Sequence, residues 1–231
     1  MTSLHPQPAM HSVAHSARFS LRLALMATMA GVLGGCAIAD KPVRAAVYDF
    51  GPGALSTRAA DSAVPTLAPL SLAEVEANPA LDSTAVVYRL AYSDVQQLHP
   101  YSQARWSMPP AQLLRQRLRA HLELQRAVLS PGEGVVLGST AIGTEAAVRL
   151  LRVELEEFSQ VFDSATQSHG LLRLRATVVR PTPAGEKLLA QRLFTLQHPA
   201  PSADAAGGVR ALTAAVDAAA QELGQWLRQL P

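Results

Sequence analysis

Apolar residues recur along the chain with two periods, and the longer period predicts helices. From Asp204 to Leu230 they follow the three-and-four spacing of one helical stripe. A second helical pattern begins at Ala111, with Leu114, Leu118 and Leu122 on one face, and we expect it to fade near Leu129, before a Ser-Pro-Gly break. Ser107 is a candidate cap for this helix, and the prolines at 109 and 110 suit a first turn.

The shorter period, an alternation of two residues, predicts strands at 85–93, 151–162, 172–178 and 187–196. Residues 47–50 form a short strand candidate, and 67–75 a weak one interrupted by Pro69. The last three alternating runs are joined by short connections, which favour antiparallel hairpins. Within 151–162 the apolar positions change parity beyond Glu157. This change predicts a bulge near Glu156–Glu157, or a strand that passes from one packing environment to another.

Ahead of these elements lies an uncharged apolar run, Leu23–Leu33, preceded by Arg18 and Arg22. A basic leader followed by a short apolar run is typical of a secretory signal, and the run is too short to span a bilayer. It leads into Leu33-Gly34-Gly35-Cys36, which resembles a bacterial lipobox, in which the cysteine thiol is acylated and the preceding peptide is removed. A plain signal peptide, or a buried core cysteine, remains the alternative.

Lipidation at Cys36 would divide the chain into a lipoprotein signal peptide (1–35), a lipidated tether (36–46) and one domain (47–231). Two or more acyl chains give stable anchoring. By resemblance to bacterial lipoproteins, the absence of Asp at position 37 favours sorting to the outer membrane, with the domain facing the periplasm. The chain has no second cysteine, so the domain has no disulfide.

Charge excludes one class of partner. The chain has 20 Lys and Arg against 18 Asp and Glu, and both leader arginines would leave with the signal peptide. The remaining domain is balanced in charge, so we expect no nucleic-acid binding.

Candidate chemistry is sparse, and we expect no catalytic residue, no metal site and no cofactor other than the covalent lipid on Cys36. The domain histidines lack metal-ligand spacing, and neither a G-x-S-x-G elbow nor a phosphate-binding loop occurs. Glu154 and Glu156 are more simply a solvated ladder on the outer face of a strand than an acid–base pair. Asp163, Ser164 and His169 are more simply turn residues than a triad.

An aromatic and basic cluster, Tyr101, Arg105 and Trp106, precedes the first helix. The simpler interpretation is that Trp106 packs before the helix as a hydrophobic staple. The functional interpretation is a contact with a protein partner, because aromatic residues and arginine are enriched at binding hot spots. The two interpretations are compatible.

Taken in order, these features resemble the ABC-type transport auxiliary lipoprotein family, which includes the paraquat-inducible lipoprotein that works with mammalian-cell-entry (MCE) proteins. The segments that carry the resemblance are the lipobox, 48–51, 87–90, 101–110 with the leucines at 113 and 114, and 155–162. The chain departs from the pattern in its long loop 53–65 and in the glycine-rich stretch after Pro131.

This resemblance implies an α+β domain, mainly an antiparallel sheet with two principal helices packed on it. It implies a non-catalytic adaptor at the outer membrane that serves an MCE-domain protein, with its permease and ATPase, in moving lipids between membranes. It also implies a homo-oligomer as the form that meets the MCE protein. Two other classes stay open: an outer-membrane assembly factor similar to the lipoprotein of the lipopolysaccharide translocon, and a lipid-anchored periplasmic hydrolase.

Overall fold

A computed structural model describes residues 44–53, 67–131 and 148–230. Within these ranges the chain forms eight strands and two α-helices, with a short 3-10 helix at Pro79–Leu81. The strands are β1 (Ala46–Tyr48), β2 (Leu67–Ala77), β3 (Ala85–Leu90), β4 (Asp94–Trp106), β5 (Arg126–Leu129), β6 (Arg149–Phe162), β7 (Ser168–Thr182) and β8 (Gly185–Pro199). The helices are α1 (Pro110–Glu123) and α2 (Ala205–Gln229). The domain is α+β, as the sequence analysis expects.

All eight strands belong to one sheet, and β6 is its centre. On one side β7 pairs with β6 antiparallel along nearly its whole length, and β8 continues the meander. On the other side β6 has two parallel neighbours in succession, β2 along residues 149–155 and β3 along 160–162. The sheet therefore divides at β6: β5 lies beyond β2, while β4 and then β1 lie beyond β3. The longest pairings are antiparallel, and the antiparallel hairpins predicted for β6–β8 are confirmed.

A bulge in β6 lies where its two neighbours change over. The register with β7 shifts between Leu155 and Glu157. Before this point buried and exposed residues alternate, whereas all six residues of Glu157–Phe162 are buried. Both explanations of the parity change are therefore correct: the strand bulges, and it also enters a more enclosed environment.

The two helices pack on the sheet through their apolar stripes. Helix α2 contacts β6, β7 and β8, and α1 lies against α2, β2 and β5. The members of the α2 stripe predicted from sequence and found buried are Val209, Leu212, Val216, Ala219, Leu223 and Trp226. Asp204 caps α2, since its Oδ1 accepts a hydrogen bond of 2.7 Å from the amide of Gly207. Burial of this stripe fixes α2 on the β6–β8 meander.

Three details of the sequence-based elements are wrong. Helix α1 ends at Glu123 rather than near Leu129, because residues 126–129 pair with β2 as strand β5. Its N-cap is Pro109, with no side-chain cap bond, so Ser107 does not cap it. The polar stretch 94–100, to which the sequence patterns assign no element, is the first part of β4.

The weak strand candidate at 67–75 proves to be an eleven-residue strand, β2. It accommodates Pro69 through a register shift against β5 between Leu67 and Leu70.

Several expectations fall on residues outside the described ranges. These are the signal peptide, Cys36, the tether up to residue 43, most of the loop 53–65, and the glycine-rich stretch after Pro131. Among the residues that are described, neither helix is long and apolar enough to cross a membrane.

Candidate interaction surface

The tip of the β3–β4 hairpin carries large apolar side chains on the protein surface. Tyr92 is 53 % exposed and Val95 is 52 % exposed. The turn itself is tight, with the amide of Ser93 donating to the carbonyl of Leu90 at 3.0 Å. At the start of β4 the Asp94 side chain accepts from the amide of Gln96 at 2.9 Å. The tip thus displays Tyr92 and Val95 on a backbone with local hydrogen bonds.

A single arginine joins this tip to the centre of the sheet. Arg89 donates from Nη2 to Oε2 of Glu157 at 3.0 Å and from Nε to Oε1 at 3.4 Å. Its Nη1 donates to the carbonyl oxygens of Val95 and Gln96, both at 3.2 Å. The side chains of Arg89 and Glu157 are only 20 % and 11 % exposed. The pair therefore clamps the hairpin tip to β6, and the exposed side chains are held in place.

Next to the clamp lies a group of aromatic rings centred on Tyr88. Its ring stacks on His99 with centroids 5.1 Å apart, and it also contacts Tyr101 at 4.6 Å and Phe162 at 5.7 Å. Tyr88, His99 and Tyr101 are half-buried. Aromatic contacts of this kind stiffen the hairpin beyond its backbone hydrogen bonds.

Tyr101 begins a buried chain of hydrogen bonds. Its hydroxyl donates to Oε1 of Gln160 at 2.8 Å, and Nε2 of Gln160 donates to Oγ of Ser168 at 2.7 Å. Burial, with smaller contributions from Tyr88 and Asp204, raises the pKa of Tyr101 well above its ordinary value. The hydroxyl therefore stays protonated and serves as a hydrogen-bond donor, while its partner amide is fully buried.

The structure separates the three residues of the aromatic and basic cluster. Trp106 is 1 % exposed, and its ring contacts Phe50 and Phe158 in the core. This agrees with the packing interpretation and removes Trp106 as a surface contact, because a partner could reach its ring only by opening the core. Arg105 is exposed and Tyr101 half-buried, so these two remain candidates.

The hairpin tip was missed by the sequence analysis. Tyr92 lies within a run that the analysis assigned to a strand face, and nothing local marks it as exposed. The available signal was Glu157, a carboxylate at the point where the apolar parity changes in β6.

Glu154 and Glu156 form the ladder of ion pairs that the sequence predicts, with side chains 57 % and 22 % exposed. Arg175 reaches Glu156 at 2.5 Å and Glu154 at 3.9 Å, and Arg173 lies 3.3 Å from Glu156. These carboxylates are each paired with guanidinium groups across the β6–β7 ladder. The arrangement is one of cross-strand ion pairs rather than of an acid and a base facing a substrate.

The turn between β6 and β7 has the turn chemistry that the sequence indicates. Oγ of Ser164 accepts from the amides of Thr166 at 3.3 Å and Gln167 at 3.1 Å. His169 Nδ1 lies 2.9 Å from Oδ2 of Asp163. Ser164 is thus occupied by the turn backbone. Within the described ranges, no group of three His, Cys, Asp or Glu residues is placed to hold a metal ion.

One open cavity of about 250 Å³ lies between residues 49–52 and helix α1. Arg117 lines it and donates to the carbonyl oxygens of Phe50 and Gly51, with its Nε 3.5 Å from Asp217 of α2. The guanidinium is therefore committed to holding this segment against the helices. We assign the cavity a structural role.

Comparisons with known proteins agree with this architecture. A family model described as the ABC-type transport auxiliary lipoprotein component matches residues 48–224. A crystal structure from Xanthomonas campestris, of the family DUF330, superposes with a TM-score of 0.57 at 20 % identity, covering 72 % of this chain and 88 % of that one. A second crystal structure, of an uncharacterized protein, gives a TM-score of 0.56 at 14 % identity, covering 80 % and 99 %. These two likenesses show the fold alone.

No curated protein matches the chain in the corresponding search. The family match spans the domain from β1 to the last turns of α2 and so includes both arms of the divided sheet. This chain belongs to the ABC-type transport auxiliary lipoprotein component family.

Proposed function

We propose that this lipoprotein is a non-catalytic adaptor held at the outer membrane by lipid on Cys36, with its domain in the periplasm. In this role it serves an MCE-domain protein, with its permease and ATPase, in moving lipids between the inner and outer membranes. The observation that carries the proposal is the family match over residues 48–224. The lipobox-like Leu33–Cys36 supports the anchor, and the resemblance described above supports the MCE partner.

The hairpin tip is the surface we assign to partner docking. An adaptor needs exposed groups that lose little entropy on binding, and rigid aromatic side chains meet that need. Tyr92 and Val95 are exposed, and Arg89 with Glu157 holds the tip to the sheet. Tyr101 and Arg105, farther along β4, are further candidate contacts of this docking surface. We also propose that the domain forms a homo-oligomer. Light scattering of the full chain in detergent would measure the mass of this oligomer.

The anchor is tested by Cys36→Ser. We expect the variant to retain its leader and to lose the acyl modification in mass spectra of the purified chain. Ala37→Asp is the matched variant for sorting: it should keep the lipid but remain in the inner-membrane fraction. A Cys36→Ser chain that is cleaved and fractionates with the outer membrane like the parent contradicts the anchor.

Docking is tested by co-purification of the full chain with an MCE-domain protein from the same organism. The double variant Tyr92→Ala, Val95→Ala should reduce the recovered partner about tenfold, as expected for loss of one or two hot-spot side chains. Leu188→Ala is the control, because Leu188 is 60 % exposed but lies on β8 at the opposite end of the meander. Equal recovery with the double variant and the control contradicts this docking surface.

A further inference from the structure

Arg126, the first residue of β5, is a buried arginine whose side chain has no partner among the described residues. It is only 7 % exposed. Its Nε is buried and makes no hydrogen bond. Across the described part of the chain, its guanidinium takes part in no ion pair either. A buried guanidinium normally has its donors satisfied, because burying a charge without compensation is costly.

Two further arginines lie around it. Strands β5 and β6 flank β2, where Leu67 pairs with Arg126 and Leu70 with Arg149. From the end of α2, Arg228 donates from Nη1 to Oε1 of Gln125, the residue before Arg126, at 3.0 Å. Arg228 is exposed and Arg149 half-buried, so the group opens to solvent on their side.

The charges of this group are all positive. Burial first, and then the charges of Arg149 and Arg228, lower the pKa of Arg126. An arginine nevertheless stays protonated at any physiological pH, so the group of Arg126, Arg149 and Arg228 carries three positive charges. The carboxylate of Glu123, the last residue of α1, is paired with Arg119 at 2.8 Å. In the described ranges, neither Arg149 nor Arg228 forms an ion pair.

Elsewhere in the domain, partly buried arginines are matched with carboxylates. Arg89 pairs with Glu157 and Arg117 with Asp217. The group around Arg126 departs from this arrangement in both charge and hydrogen bonding. A negatively charged ligand would supply what the described protein groups do not.

We propose that Arg126, Arg149 and Arg228 form a binding site for a phosphate group, carried either by free phosphate or by a phospholipid headgroup. Guanidinium groups present planar pairs of donors that match phosphate oxygens, which favours this ligand chemistry. Arg126 forms the floor of the site, and Arg228 forms its exposed edge. The site goes beyond the adaptor role and requires neither the lipid anchor nor the MCE partner.

The test compares thermal unfolding of the full chain, purified in detergent, with and without inorganic phosphate at constant ionic strength. Phosphate should raise the Tm of the parent, because a ligand that binds only the folded state stabilises it. In Arg126→Met the phosphate-dependent rise should disappear, and calorimetry should show binding at least about tenfold weaker. Without phosphate, Arg126→Met should unfold at the same or a higher temperature, since an uncompensated buried charge is removed.

Arg180→Met is the matched control, because Arg180 is an exposed arginine at the end of β7. It removes the same charge and should keep the phosphate response of the parent. Three results would each overturn the site: no phosphate response in the parent, an equal response in Arg126→Met, or an Arg126→Met chain that is strongly destabilised without phosphate. The last result would show that Arg126 already has a partner within the chain.

A second probe distinguishes the source of the phosphate group. Glycerophosphoglycerol is the soluble headgroup of phosphatidylglycerol and carries a phosphodiester. Binding of this compound that depends on Arg126 supports a lipid headgroup. Binding of inorganic phosphate alone that depends on Arg126 supports a free phosphate.

Discussion

Strand β6 passes through two environments, and its polar residues behave differently in each. Before the bulge, Glu154 lies on an outer face with its side chain 57 % exposed and pairs with Arg175 of β7. Glu156, at the bulge itself and 22 % exposed, also pairs with arginines of β7. After the bulge, Glu157, Ser159 and Gln160 are buried, with exposed fractions of 8 %, 0 % and 0 %. Two of these have specific partners, Arg89 for Glu157 and Tyr101 for Gln160.

This difference shows that residue type alone does not set the energetic role of a polar group. Exposed ion pairs contribute little to stability because water solvates the separated charges almost as well. A buried polar group loses its hydration on folding, so removal of its partner leaves a large uncompensated cost. We therefore expect substitutions after the bulge to be costly and those before it to be mild.

The largest effect should follow Glu157→Ala. It leaves Arg89, whose side chain is 20 % exposed, without its carboxylate and releases the hairpin tip. We expect a loss of about 2–4 kcal/mol in the free energy of unfolding in urea. Glu157→Gln, which keeps the shape and one acceptor, should lose less. If Glu157→Ala loses less than about 1 kcal/mol, the ion pair after the bulge contributes as little to stability as an exposed pair before it.

Gly170→Ala should have the next largest effect. Gly170 pairs with Gln160 on β6, and a Cβ there would lie 2.7 Å from the amide nitrogen of Leu212 in the α2 backbone. The helix would have to move off the sheet, at a cost of about 1–3 kcal/mol in unfolding experiments.

Gly224→Ala is the control for this close approach. Its Cβ would lie 3.3 Å from Nε2 of His121, a side chain that can shift. Because alanine favours helix over glycine by about 1 kcal/mol, this variant should be neutral or stabilised. Equal destabilisation by the two substitutions would contradict a specific close contact at Gly170.

Tyr101→Phe tests the buried hydrogen-bond chain with a smaller expected loss, about 1 kcal/mol, because Gln160 keeps its bond to Ser168. The variant also has a pH signature. Burial raises the folded-state pKa of Tyr101 above its ordinary value of 10.0. The contribution of the hydroxyl to stability is therefore fully present below about pH 10 and is lost as the pH rises further. Unfolding curves above pH 10 should therefore fall more steeply for the parent than for Tyr101→Phe. Parallel curves would show that the hydroxyl titrates normally.

The smallest effect should be that of Glu154→Ala, before the bulge. Glu154 lies 3.9 Å from Arg175, and its side chain is 57 % exposed. We expect a change under about 0.5 kcal/mol, and less at high salt, because exposed pairs are screened. A loss comparable to that of Glu157→Ala would remove the distinction between the two halves of the strand.

Elements whose buried faces repeat regularly could be predicted from sequence. The α2 stripe and the alternation in β7 reflect burial against one continuous layer, and the parity change in β6 located its bulge. In β8 the predicted face is buried only at Phe194 and Leu196, whereas Leu188 is exposed. Strand β4 could not be predicted in this way, because most residues of 94–103 are exposed and carry no alternation. Strand β5 has four residues, too few to show a period.

Contacts between distant segments account for what the sequence could not show of the site. Arg89 and Glu157 are 68 residues apart, and only the pairing of β3 with the end of β6 brings them together. The burial of Trp106 was open between two interpretations, since an aromatic residue before a helix is compatible with either. In contrast, the Ser164–Gln167 turn is local, and its hydrogen bonding followed from composition alone.

The division of the sheet at β6 has a consequence for the order in which the domain folds. Strand β2 pairs with β6 across some eighty residues of chain, whereas β6, β7 and β8 are joined by short turns. Closing a long loop costs more entropy than closing a hairpin. The C-terminal meander β6–β8 should therefore form early. It should then act as the template to which the N-terminal strands add. Chains that stop before residue 149 would lack this template and leave β2 and β3 without the neighbour that completes their sheet.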